Sequence, residues 1–211
     1  WTEAEKNGVL PIDDRGAFEL FRASRRPGMP TSRRQFVYHP PISHIVSDAC
    51  PPVFRGWRMT VDLEQAATCD GALISRGSLN SGYVLYLQDG RPVFDHNAFH
   101  DHTVVRGDRA VGPGRHQLEV EVARQPNGSG VVTLSLDGEA IGTGTIPRLL
   151  IMISSLGMDF GRSPRPVCPD YAPPFVYPGT IHSVVFDLPP VPPELARVAD
   201  QAEVNAALSR Q

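Results

Sequence analysis

Between residues 35 and 188 the chain alternates between apolar and polar positions, segment after segment. In WRMTVDL, Trp57, Met59, Val61 and Leu63 alternate with Arg58, Thr60 and Asp62, the period-two pattern of a half-buried strand. HQLEVEV repeats it, with Leu118, Val120 and Val122 inward and Glu119 and Glu121 outward. VTLSL repeats it again with Val132, Leu134 and Leu136, and YVLYL, PVFDH, HTVVR and TIHSVVFDL add further strands. Asp89-Gly90 and Asp137-Gly138 are two-residue turns of the kind that accept positive φ and join hairpins, whereas Asn127-Gly128 sits in a looser polar connection. About ten short strands with turns between them and no helical stretch predict an all-β fold, an antiparallel β-sandwich or jelly roll, over residues 34–190.

The two ends break the pattern. Trp1, Ala4 and Glu5 read as the last turns of a helix closing at Asn7-Gly8. A helix entered in its middle predicts an upstream domain. Residues 1–33 then read as a connector whose VLP and FELF segments pack on something, because a free linker would be mostly Gly, Ser or charge. Residues 191–211 predict a C-terminal helix, with Leu195, Val198, Ala199, Ala202, Ala206 and Leu208 near one stripe.

Composition narrows the function classes. A net charge of −3 from 20 basic and 23 acidic residues gives no electrostatic reason to expect nucleic acid or an anionic membrane as partner. No apolar run approaches the ~20 residues that span a bilayer. Lys6 is the one lysine, and arginine dominance reads as the base composition of a GC-rich bacterial genome. The doublets Arg25-Arg26 and Arg33-Arg34 read as solvated linker charge. Cys50 and Cys69 flank a strand too long to bring them within bridging distance, so cysteine usage does not fix a compartment.

Chemistry is sparse. FDHNAFHDHTVV gathers Asp95, His96, His100, Asp101 and His102, but two strands joined by a connection would send the histidines in different directions. No nucleophile elbow, phosphate loop or dinucleotide fingerprint occurs. Paired acids such as Asp13-Asp14 and Glu119/Glu121 read as surface charge. Asp159 and Asp170 fall in a loop region suited to calcium, yet an oxygen cage needs about six ligands and the sequence offers only these two.

Several stretches together resemble one family. WTEAEKNGVLPIDDR is similar to the segment W-x-x-A-x-x-x-x-V-L-P-L-D-D-R that follows the catalytic domain in bacterial arylsulfatases of the alkaline-phosphatase-like superfamily. Trp1, Ala4, Val9, Leu10, Pro11, Asp13, Asp14 and Arg15 match, with Ile12 replacing leucine. GYVLYLQDGRPVFDHNAF resembles the family's G-Y-x-L-Y-x-x-D-G-x-L-x-Y-x-Y-N-x-F, with Asn97 and Phe99 matching and His96 standing where tyrosine is usual. VTLSLDGEAIGTGTIP, GMDFGRSPRPVCPDYAPPFVYPGTI and ALSRQ fall in the same order as similar stretches there.

The resemblance implies a parent that hydrolyses sulfate esters with a formylglycine and a divalent cation, calcium by expectation, both held in an upstream catalytic domain. The formylglycine comes from a Cys/Ser-x-Pro-x-Arg motif. Cys50-Pro51-Pro52-Val53-Phe54-Arg55 carries its arginine one place late, and Cys168-Pro169-Asp170 lacks the proline, so no catalytic residue or cofactor transfers to this chain. The implied partner is the catalytic domain. A non-catalytic accessory sandwich that packs on it, through Val9, Leu10, Phe18 and Phe21, and shapes the active-site entrance is one expectation. A glycan-binding module of laminin-G or concanavalin kind, with Tyr86, His96, Asn97 and His100 on its rim, is the alternative. Tyr86 is also readable as core on the sheet face opposite Leu85 and Leu87.

Overall fold

The computed structural model describes residues 2–7, 33–150, 154 and 156–190. Residues 34–189 form one compact unit. Within it the alternation becomes strands. β3 (Trp57–Gln65) buries Trp57, Met59, Val61, Leu63 and Gln65 and turns Arg58 and Glu64 to solvent. β8 (Gly114–Arg124) and β9 (Gly130–Leu136) follow the same rule. With β1 (Gln35–Tyr38), β10 (Glu139–Ile146) and β14 (Thr180–Asp187) they make a six-stranded sheet ordered β1-β14-β3-β8-β9-β10.

The second sheet has eight strands. β4 (Gly71–Gly77), β5 (Gly82–Gln88), β6 (Arg91–Ala98) and β7 (Asp101–Arg106) run in sequence order. β12 (Arg162–Ser163) and β13 (Phe175–Val176) extend it beyond β4, and β11 (Met158–Phe160) pairs with both β4 and β2 (His44–Ile45). Pairing is antiparallel throughout except for the parallel β13–β4 bridge. That bridge needs Gly71, where φ is +148° and a Cβ would lie 2.4 Å from the Cα of Tyr177.

The turns behave as their chemistry demands. Asp89 and Gly90 have φ of 51° and 67°, and Asp137 and Gly138 have 51° and 83°, the left-handed pair that matches strand twist in a two-residue hairpin. Phe99 and His100 adopt the same conformation, with φ of 56° and 74°. The stretch after His96 therefore remains strand to Ala98 and turns in only two residues, a tighter connection than the loop expected there.

The main core lies between the sheets. Trp57 stands 5.6 Å from the ring of Tyr83 and 5.8 Å from those of Phe94 and Phe186. A second apolar cluster lies on the far side of the eight-stranded sheet, where Val167, Cys168, Tyr171 and Phe175 cover Ala72, Val84, Tyr86 and Val93. All three cysteines are free thiols.

In the chain's other unit, α1 (Thr2–Lys6) closes with the amide of Asn7 donating to the Glu3 carbonyl, and Gly8 of the expected cap lies outside the described residues. The connector, including Val9, Leu10, Phe18 and Phe21, and the expected C-terminal helix lie outside the described residues.

Candidate functional site

The residues that sequence reasoning placed on a ligand rim do not share a surface. Tyr86 is fully buried on the outward face of β5, against Tyr171 at 5.4 Å and Phe175 at 6.1 Å between ring centroids. Its hydroxyl donates to Asp170, 3.2 Å away. His96 lies on the opposite, inward face, paired in register with Tyr83, and is 5 % exposed. Asn97 is fully buried, and its amide donates to the carbonyls of Leu79 and Val167 at 2.8 and 2.9 Å. The Asn97 carbonyl accepts the His100 amide, 2.8 Å away, which holds the strained turn. His100 alone of the four is exposed. The rim reading is therefore corrected: three of its members are interior, and alternation sends Tyr86 and His96 to opposite faces.

What gathers instead is a polar network where residues 163–177 cross the outward face of the eight-stranded sheet. His102 Nδ1 lies 2.9 and 3.0 Å from the two oxygens of Asp95, which is 1 % exposed. Burial raises the Asp95 carboxyl above its ordinary range, and His102 pulls it partly back. Asp170 takes a 2.8 Å contact from Arg106 in addition to the Tyr86 hydroxyl. Cys168, also facing Asp95, has its thiol pushed up to about 11, chiefly by burial.

These groups resemble the parts of a nucleophilic triad but not its order. In a working triad the imidazole stands between nucleophile and acid, so that it can take the nucleophile's proton. Here thiol and imidazole both turn to the carboxylate. A thiol at about 11 holds almost no thiolate at neutral pH. His96 is no base either, since burial lowers it to about 4 and its Nδ1 has no partner. The network is built to hold a loop down.

Two further features complete the picture. At one edge of the sandwich, Tyr38, Phe160 and Tyr177 floor a cleft of about 280 Å³ with His39, Pro40, Pro41, Ile42 and Thr180 around it. On the outward face of β11, Asp159 is 4 % exposed in its side chain and meets His44, Arg162 and Arg165. Asp159 and Asp170 are thus engaged by cationic side chains, and no group of His, Cys, Asp and Glu among the described residues is arranged to hold a metal ion. The roles of His44, Arg162 and Arg165 escaped sequence reasoning. The available signal was the spacing of Asp159, Arg162 and Arg165 at three-residue intervals.

Comparison with known proteins places the fold. A point mutant of NanB sialidase from Streptococcus pneumoniae superposes with a TM-score of 0.52 at 11 % identity, covering 77 % of this chain and 27 % of that one. Mouse laminin alpha1 domains LG4-5 give 0.48 at 14 % identity over 73 % of this chain and 38 % of that one. Galectin LEC-6 from Caenorhabditis elegans gives 0.45 at 12 % identity over 76 % and 99 %. The fold is a jelly-roll β-sandwich. The chain spans only about a quarter to two fifths of the length of the sialidase and laminin structures. No protein-family model matches the sequence, and no curated protein is similar to it.

Proposed function

We propose that the chain is a non-catalytic accessory β-sandwich of a bacterial sulfatase, one that packs on a formylglycine-bearing catalytic domain and borders its entrance. The ordered resemblance of residues 1–15, 82–99, 132–147 and 157–181 to that family's C-terminal region supports the parent. One structural observation carries the non-catalytic part. In the richest cluster of reactive side chains, Tyr86, Asp95 and Cys168 are buried, and His102 and Asp170, which reach solvent, are each paired within the cluster, so no thiol or hydroxyl stands beside a free base. In this reading the divalent cation and formylglycine belong to the catalytic domain.

Two measurements test it. The chain at its sequence mass of 23.0 kDa is assayed with a chromogenic sulfate ester, with and without calcium. No turnover is expected, and turnover at that mass overturns the non-catalytic reading. The coding sequence upstream of Trp1 is then read for Cys/Ser-x-Pro-x-Arg in an α/β domain. Its absence overturns the sulfatase parent.

A second reading, a glycan-binding module, is favoured by the aromatic-floored edge cleft with His39 and Thr180 at its margin. Saturable binding of oligosaccharides that is lost on Ile42→Asp would support it.

A further inference from the structure

Among the described residues of this domain, each arginine paired to a carboxylate has at least one carboxylate to itself except at β11. Arg58 meets two carboxylates, Glu119 and Glu121. Arg106 meets Asp170, Arg109 meets Glu139 and Arg115 meets Asp62. At β11 the arrangement inverts. Asp159 is a single carboxylate with His44 Nδ1 at 3.0 Å and Arg162 at 3.5 Å on one oxygen, and Arg165 at 3.8 Å on the other. The net charge is +1 with His44 neutral and +2 with it protonated.

A buried carboxylate does not need three partners. His44 alone satisfies one oxygen of Asp159, and each added guanidinium brings repulsion from the other. The fold nevertheless holds both arginines in place. The Arg162 carbonyl accepts from Ser75 Oγ at 3.0 Å, and the Arg165 carbonyl accepts from Ser163 Oγ at 2.7 Å. The backbone between Asp159 and Arg162 is fixed by the Phe160 amide donating to the Ser43 carbonyl and the Gly161 amide donating to the Leu73 carbonyl. The side chains of His44, Arg162 and Arg165 are 42, 45 and 48 % exposed, so their heads are open to solvent. Each guanidinium carries five N–H donors, and among the described residues neither has a carboxylate besides Asp159.

We propose that His44, Arg162 and Arg165 form a binding site for a tetrahedral oxyanion, a sulfate or phosphate group free or carried on a sugar, with Asp159 as the residue that positions them. Two guanidiniums gathered on one carboxylate bring many N–H donors within reach of one ligand, and each guanidinium fork matches the oxygens of a sulfate or phosphate. The buried carboxylate keeps the heads together and leaves one to two positive charges for the ligand. The site stands independently of the sulfatase parent.

The test follows the arginine Nε–H and His44 ring signals by NMR as sodium sulfate replaces sodium chloride at constant ionic strength. Inorganic phosphate, a sulfated monosaccharide and its unsulfated counterpart are run alongside. Saturable shifts confined to Arg162, Arg165 and His44 are expected, with affinity at least tenfold weaker in R162Q/R165Q and unchanged in R58Q/R115Q. Tighter binding of the sulfated sugar than of inorganic sulfate assigns the site to a glycan, and equal binding assigns it to the ion. Asp159→Asn, which keeps the shape but removes the charge that gathers the two guanidiniums, is expected to weaken binding several-fold. Shifts that stay linear, spread evenly over all arginines, or survive R162Q/R165Q would overturn the proposal, as would unchanged binding in a folded Asp159→Asn protein.

Discussion

The two sheets of this sandwich are built from similar strands and bury them differently. In the six-stranded sheet β3 alternates, burying every second residue and wetting the rest. In the eight-stranded sheet every residue of β4 is buried, and so is every residue of β5 up to Gln88. The difference lies in what covers the far face. Solvent touches one sheet there, and residues 163–177 touch the other, with Tyr171 stacked on Phe175 at 4.9 Å above Tyr86. A polar residue on the first sheet is surface. The same residue on the second must be satisfied inside the protein.

That contrast sets the size of substitutions. Tyr86→Ala, beneath the loop, is expected to cost about 3–5 kcal/mol in urea unfolding, as for other fully buried aromatics. Thr133→Ala, on the outward side of β9, is expected to stay within about 0.5 kcal/mol. Equal costs would erase the distinction between the faces.

His96, buried on the inward face of the same sheet as Tyr86, adds a pH dependence. Its folded value of about 4 lies below the ordinary 6.5 because burial disfavours the charged ring. Between those values the unfolded chain binds the proton and the folded one does not. Stability is therefore complete above pH 6.5 and falls as pH drops toward 4, by up to about 3 kcal/mol. His96→Leu should flatten that part of the stability–pH curve, and an unchanged slope would place the acid sensitivity elsewhere.

Asn97→Ala removes donors from the Leu79 and Val167 carbonyls and the acceptor for the His100 amide. The expected loss is about 2 kcal/mol. Amide exchange should rise in the 78–81 and 99–100 turns ahead of the strands. A similarly small effect is expected elsewhere on the open sheet, where Arg115→Ala breaks a solvent-facing pair with Asp62 and should leave the urea midpoint close to that of the parent protein.

The same contrast explains what could be read in advance. The strands of the six-stranded sheet were legible because one face is core and the other is water, so alternation appears directly in Trp57–Leu63 and Leu118–Val122. The Asp-Gly turns were legible because positive φ selects those residues. Tyr86 was not decided by local pattern. GYVLYLQ suits either a rim or a second buried face, and the deciding residues, Tyr171 and Phe175, lie some 85 positions away. The Phe99-His100 turn was hidden because a buried side chain, Asn97, stabilises it in place of turn-forming residue types. The Asp159 cluster was hidden because His44 reaches it across a separation of 115 residues.

Residues 163–177 act as a fixed layer of the fold and not as a movable loop over a site. Cys168 reports on this directly, since it is fully buried on the inner side of that layer while Cys69 is partly exposed. The native protein is treated with a small thiol reagent and each cysteine is followed by peptide mass spectrometry across a urea series. Cys69 is expected to react first, with Cys168 modified only at the rate of global unfolding. Modification of Cys168 in the folded protein, at a rate independent of urea, would mean that the layer opens on its own and is no fixed part of the fold.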